Sequence, residues 1–171
     1  MAASALVLIG PSGAGKSTLL RALSAELPDL RTVRTLTTRP RRPGETSDTH
    51  EFVSAAEFAE RKAAALGVHR HYGHDYALPR LEAGPGVPVA TCLRAVVLDR
   101  LRSLHPDLYV VAAEAPVPEL LRRLGERGDR ERAEPEVLQA ELEAGRQLAD
   151  LVLDTREPVA DCLARIREVW P

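Results

Sequence analysis

Two spacings of apolar residues alternate along this chain. Residues 5–9 (ALVLI) form an apolar run too short for a helical stripe and predict a buried strand, while residues 18–27 (TLLRALSAEL) carry leucines at helical spacing and predict a helix. Residues 30–36 alternate after a turn at Pro28 and Asp29, which predicts a second strand. Residues 37–45 (TTRPRRPGE) hold two prolines and a glycine that no helix tolerates, so they predict a basic loop. A short extended segment at 51–53 precedes Ser54, which reads as an N-cap with Glu57 completing a capping box; that helix runs to about Leu66 and Gly67 ends it. Residues 68–78 predict a hairpin turning at Gly73, and 79–88 a Gly/Pro-punctuated connection. Then come a strand at 87–92, a helix at 93–104, a strand at 108–113 and a helix opened by Pro116 or Pro118 and ended at Gly128. A charged loop at 129–133, a helix at 135–148, a strand at 151–153 and a helix at 158–169 complete the chain.

Strands alternating with helices predict an α/β fold with a central parallel sheet flanked by helices. The segment from 37 breaks that rhythm. The chain reads as one domain over 1–171, with a core at 1–36 and 85–171 and a small lobe inserted at about 37–84.

Between the first strand and helix stands Gly10, Pro11, Ser12, Gly13, Ala14, Gly15, Lys16, Ser17, the pattern G-x-x-x-x-G-K-[ST] in a strand–loop–helix setting, with Thr18 following. Glycines let backbone N–H groups close on phosphate oxygens, and the helix N-terminus adds partial positive charge. Lys16 reaches the outer phosphates and the Ser17 hydroxyl sits on Mg²⁺. The chain binds ATP with Mg²⁺ on this reading.

Composition narrows the partners. A net charge of −2 provides no general field for nucleic acid or an acidic membrane. Only two of the 23 basic side chains are lysines, Lys16 and Lys62, so Lys16 is nearly alone where chemistry needs a compact ammonium. Cys92 and Cys162 form no metal or disulfide spacing and predict small buried hydrophobes in a reducing cytoplasm. No apolar run has the length of a membrane span and no signal peptide opens the chain, which is expected to be cytoplasmic, as a monomer or homodimer.

Two arginine groups turn a phosphate loop into a kinase. Arg39, Arg41 and Arg42 crowd a Pro-framed loop at the carboxyl end of a strand, where ligands of open α/β sheets bind, and guanidinium forks grip phosphate; this predicts the site of a phosphorylated acceptor. Arg122, Arg123, Arg127, Arg130 and Arg132 surround Gly128, and Arg127 and Arg130 are the expected catalytic arginines of a lid at about 127–134, with Lys16. Arg122 and Arg123 read as ordinary helix-end charges. No N-K-x-D follows the third strand, which argues against a GTPase. His69 and His71 share one strand face, but no cysteine or acid with metal-site spacing accompanies them.

The phosphate loop, residues 37–45, residues 51–58 (EFVSAAEF) and residues 123–128 (RLGERG) resemble the guanylate kinases and their close relatives across nearly the whole chain. The resemblance implies that Thr35, Arg39, Arg42 and Tyr76 hold the acceptor's phosphate and that Arg127 and Arg130 belong to the lid. Several positions depart from a guanylate kinase: His50 replaces a tyrosine, residues 66–70 (LGVHR) replace the strand whose glutamate reads guanine, and residues 89–95 (VATCLRA) lack that family's aspartate and Gln-Gly. Those departures resemble the ribose 1,5-bisphosphate phosphokinases, a sister branch, through His50, Arg94 and residues 76–79 (YALP). That resemblance implies transfer of the γ-phosphoryl of ATP to ribose 1,5-bisphosphate, giving phosphoribosyl diphosphate, with His50 and Arg94 among the acceptor contacts. Ala77, Thr91 and Glu141 differ from that branch too. GMP is the alternative acceptor. A catalytically silent interaction domain of this family usually loses the phosphate loop, which is intact here.

Overall fold

The computed structural model describes residues 5–81, 89–92 and 94–170; the expected connection over 82–88, the expected strand start at 87 and the expected helix start at 93 lie outside them. Five parallel strands, β1 (Ala5–Ile9), β2 (Arg31–Val33), β7 (Val89–Cys92), β8 (Leu108–Glu114) and β9 (Leu151–Asp154), form the core sheet in the order β2-β7-β1-β8-β9. The central strand explains its own composition. Leu6 and Leu8 pack on one face with Leu20, Leu23, Leu120 and Ile166, while Ala5, Val7 and Ile9 pack on the other with Leu98, Leu101 and Val110. Both faces of β1 are therefore covered, and a strand buried twice over must be apolar throughout. The covering helices are α1 (Lys16–Glu26), α3 (Leu98–Leu104), α4 (Val117–Glu126), α5 (Pro135–Leu148) and α6 (Val159–Val169). No helix among the described residues is long and apolar enough to cross a membrane.

The strand expected over 30–36 is two strands in different sheets. Val33 belongs to the core cluster, Arg34 breaks the run, and Leu36 on β3 (Thr35–Thr37) packs with Phe58 and Ala77. β3 joins a four-stranded sheet, β4-β3-β6-β5, in which it runs parallel to β4 (His50–Phe52) and antiparallel to β6 (His74–Leu78), with β5 (Gly67–His71) beyond β6. The arginine loop thus leaves β3 of the inserted sheet, not a core strand. Gly67 does not end a helix; it opens β5 (Gly67–His71), because α2 (Ala55–Arg61) has already stopped and a 3-10 turn over Lys62–Ala64 follows. Ser54 caps α2 as expected by accepting from the Glu57 amide at 3.2 Å, while the Glu57 carboxylate takes Arg61 at 2.9 Å instead of closing the box. The third helix begins with a 3-10 turn at Ala95–Val97 and becomes α-helical at Leu98.

Candidate active site

The phosphate loop runs from the end of β1 to the start of α1. Gly10 has φ 140°, and a Cβ there would stand 2.3 Å from the Ala113 carbonyl oxygen on β8, so the strand pairing beside β1 admits only glycine. Gly15 caps α1 at φ 91° with no side-chain bond, which leaves the first-turn amides directed into the loop for an anion. The Lys16 ammonium donates to the carbonyls of Gly10 and Pro11 at 2.7 and 2.8 Å. Arg123, expected to be a plain helix-end charge, donates to Gly13 O at 3.3 Å and to both oxygens of Thr155, so it fastens α4 to the loop. Arg122 fits the plain reading, with its bonds going to Glu119 and Glu126.

A cavity of about 550 Å³ opens over the loop. One wall is Gly10, Ser12, Gly13, Lys16, Ser17 and Thr18; the facing wall comes from the inserted sheet and the segment after α4. Among the expected acceptor residues, Thr35, Arg39, Arg42, His50, Tyr76 and Arg94 all line it, and so does Arg127. Arg130 does not. It is exposed, and the residue that faces the cavity is Arg132. The segment 130–132 is a 3-10 turn, in which residues three apart share a face, so Asp129 and Arg132 turn inward and are buried while Arg130 and Glu131 turn outward. A period of three in 129–132 was the available signal. Arg132 donates to the Tyr76 hydroxyl at 2.7 Å and reaches Ser12 Oγ at 3.4 Å, bridging the inserted sheet and the phosphate loop. Pro11 and Ala14 are buried beneath the loop, and Gly15 lines a second cavity of about 320 Å³ with Thr18, Arg123, Arg127, Thr155 and Cys162.

The arginines are held apart by different partners. Arg39, 4% exposed, grips Glu45 with both forks at 2.9 and 2.6 Å and lies over the Phe52 ring at 5.1 Å. Burial pulls its pKa down, but the Glu45 bond outweighs that and leaves it raised. Arg42 lies 2.8 Å from Asp129, tying the arginine loop to the segment after α4. Its pKa is lowered by burial and then by Arg132 and Arg39. Buried Arg39 Nε and Arg132 Nε have no hydrogen-bond partner. Crowded cations with orphaned donors beside a phosphate loop form a pocket for an anion. Arg94 meets Glu141 and the His71 ring, and burial lowers its pKa to about 10.

Histidines form the rest of the facing wall. His69 stacks on Tyr76 at 5.2 Å and 12°, with His50 set edge-on at 6.2 Å. Burial, followed by Arg39 for His50 and Arg94 for His69 and His71, lowers their pKa values to about 4, about 4 and about 3. They are neutral near pH 7; His50 Nδ1 pairs with the Thr49 hydroxyl and His71 Nε2 with Arg94, while neither ring nitrogen of His69 has a hydrogen-bond partner. A folded pKa below the unfolded one means that the unfolded chain binds protons first on acidification. Stability of the ligand-free protein is therefore level above about pH 6.5 and falls as pH drops from there toward about 4, by up to about 1.4 kcal/mol per pH unit for each histidine. Urea midpoints at pH 7, 6 and 5 measure this, and a level profile contradicts it. No group of three or more potential ligands for a metal ion occurs among the described residues.

An AAA domain family model matches residues 6–152. The guanylate kinase of Frankia casuarinae is 38% identical over 148 residues, covering 82% of this chain and 79% of that protein. The bifunctional ribose 1,5-bisphosphokinase-thymidine phosphorylase of Cupriavidus pinatubonensis is 37% identical over 129 residues, 71% of this chain; those residues span only 21% of its length. Among solved structures, the guanylate kinase of Anaplasma phagocytophilum superposes with a TM-score of 0.73 at 21% identity, covering 98% of this chain and 84% of that one, which speaks for the fold. With its phosphate loop, its parallel core sheet and its inserted four-stranded sheet, the chain belongs to the P-loop kinase family that includes the guanylate kinases and the ribose 1,5-bisphosphate phosphokinases.

Proposed function

We propose that this ATP-dependent kinase transfers the γ-phosphoryl group to ribose 1,5-bisphosphate, giving phosphoribosyl diphosphate. The observation that carries the reading is the wall facing the phosphate loop. The residues that β5 and β6 contribute to it are His69, His71, Tyr76 and Leu78, with no carboxylate among them to read a purine edge. Gly67, at the head of β5, has no side chain, and a Cβ there would meet Val97 at 3.2 Å, so the space is already filled. Arginines and neutral histidines suit an acceptor rich in phosphate and hydroxyl oxygens and without a base.

In this reading Arg42 and the orphaned Nε donors of Arg39 and Arg132 receive the acceptor phosphate, while Thr35, His50, Tyr76 and Arg94 orient the sugar. The second cavity, against the other side of the loop, suits the nucleoside of ATP. The Ser17 hydroxyl would hold Mg²⁺. The fit is adequate, because Ser17 lines the cavity and Mg²⁺ keeps waters and substrate phosphates as most of its ligands. Mg²⁺ supplies charge neutralisation on the outer phosphates when bound. The protein contributes position and charge: Lys16 on the outer phosphates, Arg127 and Arg132 around the group in transfer. A general base is unnecessary when the nucleophile is a phosphate oxygen. A free, buried Cys162 accords with a reducing, cytoplasmic setting.

The Frankia relative supports GMP as the second reading. Coupled ADP release with ATP plus ribose 1,5-bisphosphate, GMP or AMP separates the two. Ribose 1,5-bisphosphate is expected to give a kcat/KM at least about 100-fold above GMP, since a missing polar contact to the base costs that much or more. Turnover of GMP alone overturns the sugar reading.

A further inference from the structure

The two-residue loop of the β5–β6 hairpin is Tyr72 and Gly73, with φ 46° and 76°. Both are left-handed, as in a type I′ turn, which favours Asn-Gly or Gly-Gly and disfavours a bulky side chain at its first position. Tyr72 is the one non-glycine residue with positive φ among those described. Two groups among the described residues make ring contacts with it. His71 lies against it at 4.0 Å between centroids, and the Arg132 guanidinium carbon lies over it at 5.6 Å.

The same hairpin holds Arg132 a second time, through the Tyr76 hydroxyl. The two grips differ in kind. A carboxylate partner occupies guanidinium N–H groups, as Glu45 does to Arg39. A ring face occupies none, so contact with Tyr72 fixes the cation and leaves its buried Nε without a protein partner. An aromatic residue in a conformation that suits asparagine is explained if the ring is needed where the turn puts it.

We propose that Tyr72 is a positioning residue: through its ring face it holds Arg132 over the junction of phosphate loop and acceptor pocket without consuming the donors that meet the transferring group. This rests on the proposed role of Arg132 in phosphoryl transfer. It predicts a separation of stability from activity. Tyr72→Asn relieves the turn and keeps the fold, with a thermal midpoint at or above that of the wild type. Its kcat falls about tenfold while KM for ATP stays within about twofold, because the loss is confined to orientation in the transition state. Tyr72→Phe retains the ring and stays within about twofold of wild type in kcat.

The test is a double-mutant cycle of Tyr72→Asn with Arg132→Ala, read with ATP and ribose 1,5-bisphosphate and in parallel with GMP. In the Arg132→Ala background Tyr72→Asn should cost nothing further. A wild-type kcat in Tyr72→Asn beside an impaired Arg132→Ala overturns the inference alone, as does an equal loss in both backgrounds or a Tyr72→Phe variant as slow as Tyr72→Asn. Turnover of neither acceptor, or an Arg132→Ala variant with wild-type kcat, removes the proposed function and this inference with it.

Discussion

Lys16→Ala lowers kcat by about three orders of magnitude while the protein stays folded. The ammonium sits at the start of α1, bound to the carbonyls of Gly10 and Pro11 that open the loop after β1. In the proposed function a flexible four-carbon stem brings a compact charge from there onto the outer phosphates, where charge shifts during transfer. Water in a fixed cradle of backbone amides does not replace it. Nor does another side chain: the other lysine, Lys62, is exposed on the 3-10 turn after α2. Lys16→Arg is not expected to rescue, since a planar fork is broader than an ammonium and the loop around it is fixed by Gly10 against Ala113 O. Steady-state assays give the loss in kcat, and circular dichroism with thermal melting checks the fold. Activity within about tenfold of wild type refutes the role given to the loop.

Legibility of the sequence followed how local each signal was. The conformation of the phosphate loop was readable because its signals are contiguous: Gly10 and Gly15 take the positive φ that glycine permits, and Lys16 folds back onto the carbonyls of Gly10 and Pro11. Core strands were readable because burial on both faces leaves an unbroken apolar run, as in β1. Boundaries between sheets were not. Val33 and Leu36 are both apolar and only three residues apart, and tertiary packing sends one to the core cluster and the other to Phe58. The facing wall was readable as a set of residue types but not as a set of partnerships. Nothing local shows that Glu45 saturates two forks of Arg39, that Asp129 meets Arg42 from the far side, or that Glu141 meets Arg94. Each joins residues from separate elements or opposite ends of a loop. The histidines were visible as a cluster, yet their neutrality comes from burial, and burial is a property of the assembled cavity.

Arg132→Ala is expected to lower kcat by about 100- to 1,000-fold, with KM for ATP changed less than about threefold; Arg130→Ala stays within about twofold of wild type. The contrast follows from one 3-10 turn. Both residues are arginines on the same charged segment, and the family resemblance pointed to Arg130. Three residues per turn carry Arg130 outward and Arg132 inward, onto Ser12 of the phosphate loop and the Tyr76 hydroxyl. Arg132 is 9% exposed, beside another cation, Arg42, and retains an unpartnered Nε. A cation so placed contributes little to the stability of the empty protein, because its desolvation cost is poorly repaid. Its removal should leave the thermal midpoint unchanged or slightly higher. In the proposed function it stabilises the added negative charge that a phosphoryl group presents between loop and acceptor, so the loss is expected in kcat and not in ATP binding. A charge-reversing control sharpens the point: Arg132→Glu should be slower still, while Arg130→Glu changes little. Should Arg130→Ala prove the more damaging of the two, the segment must turn its other face to the nucleotide, and the assignment of Arg132 falls.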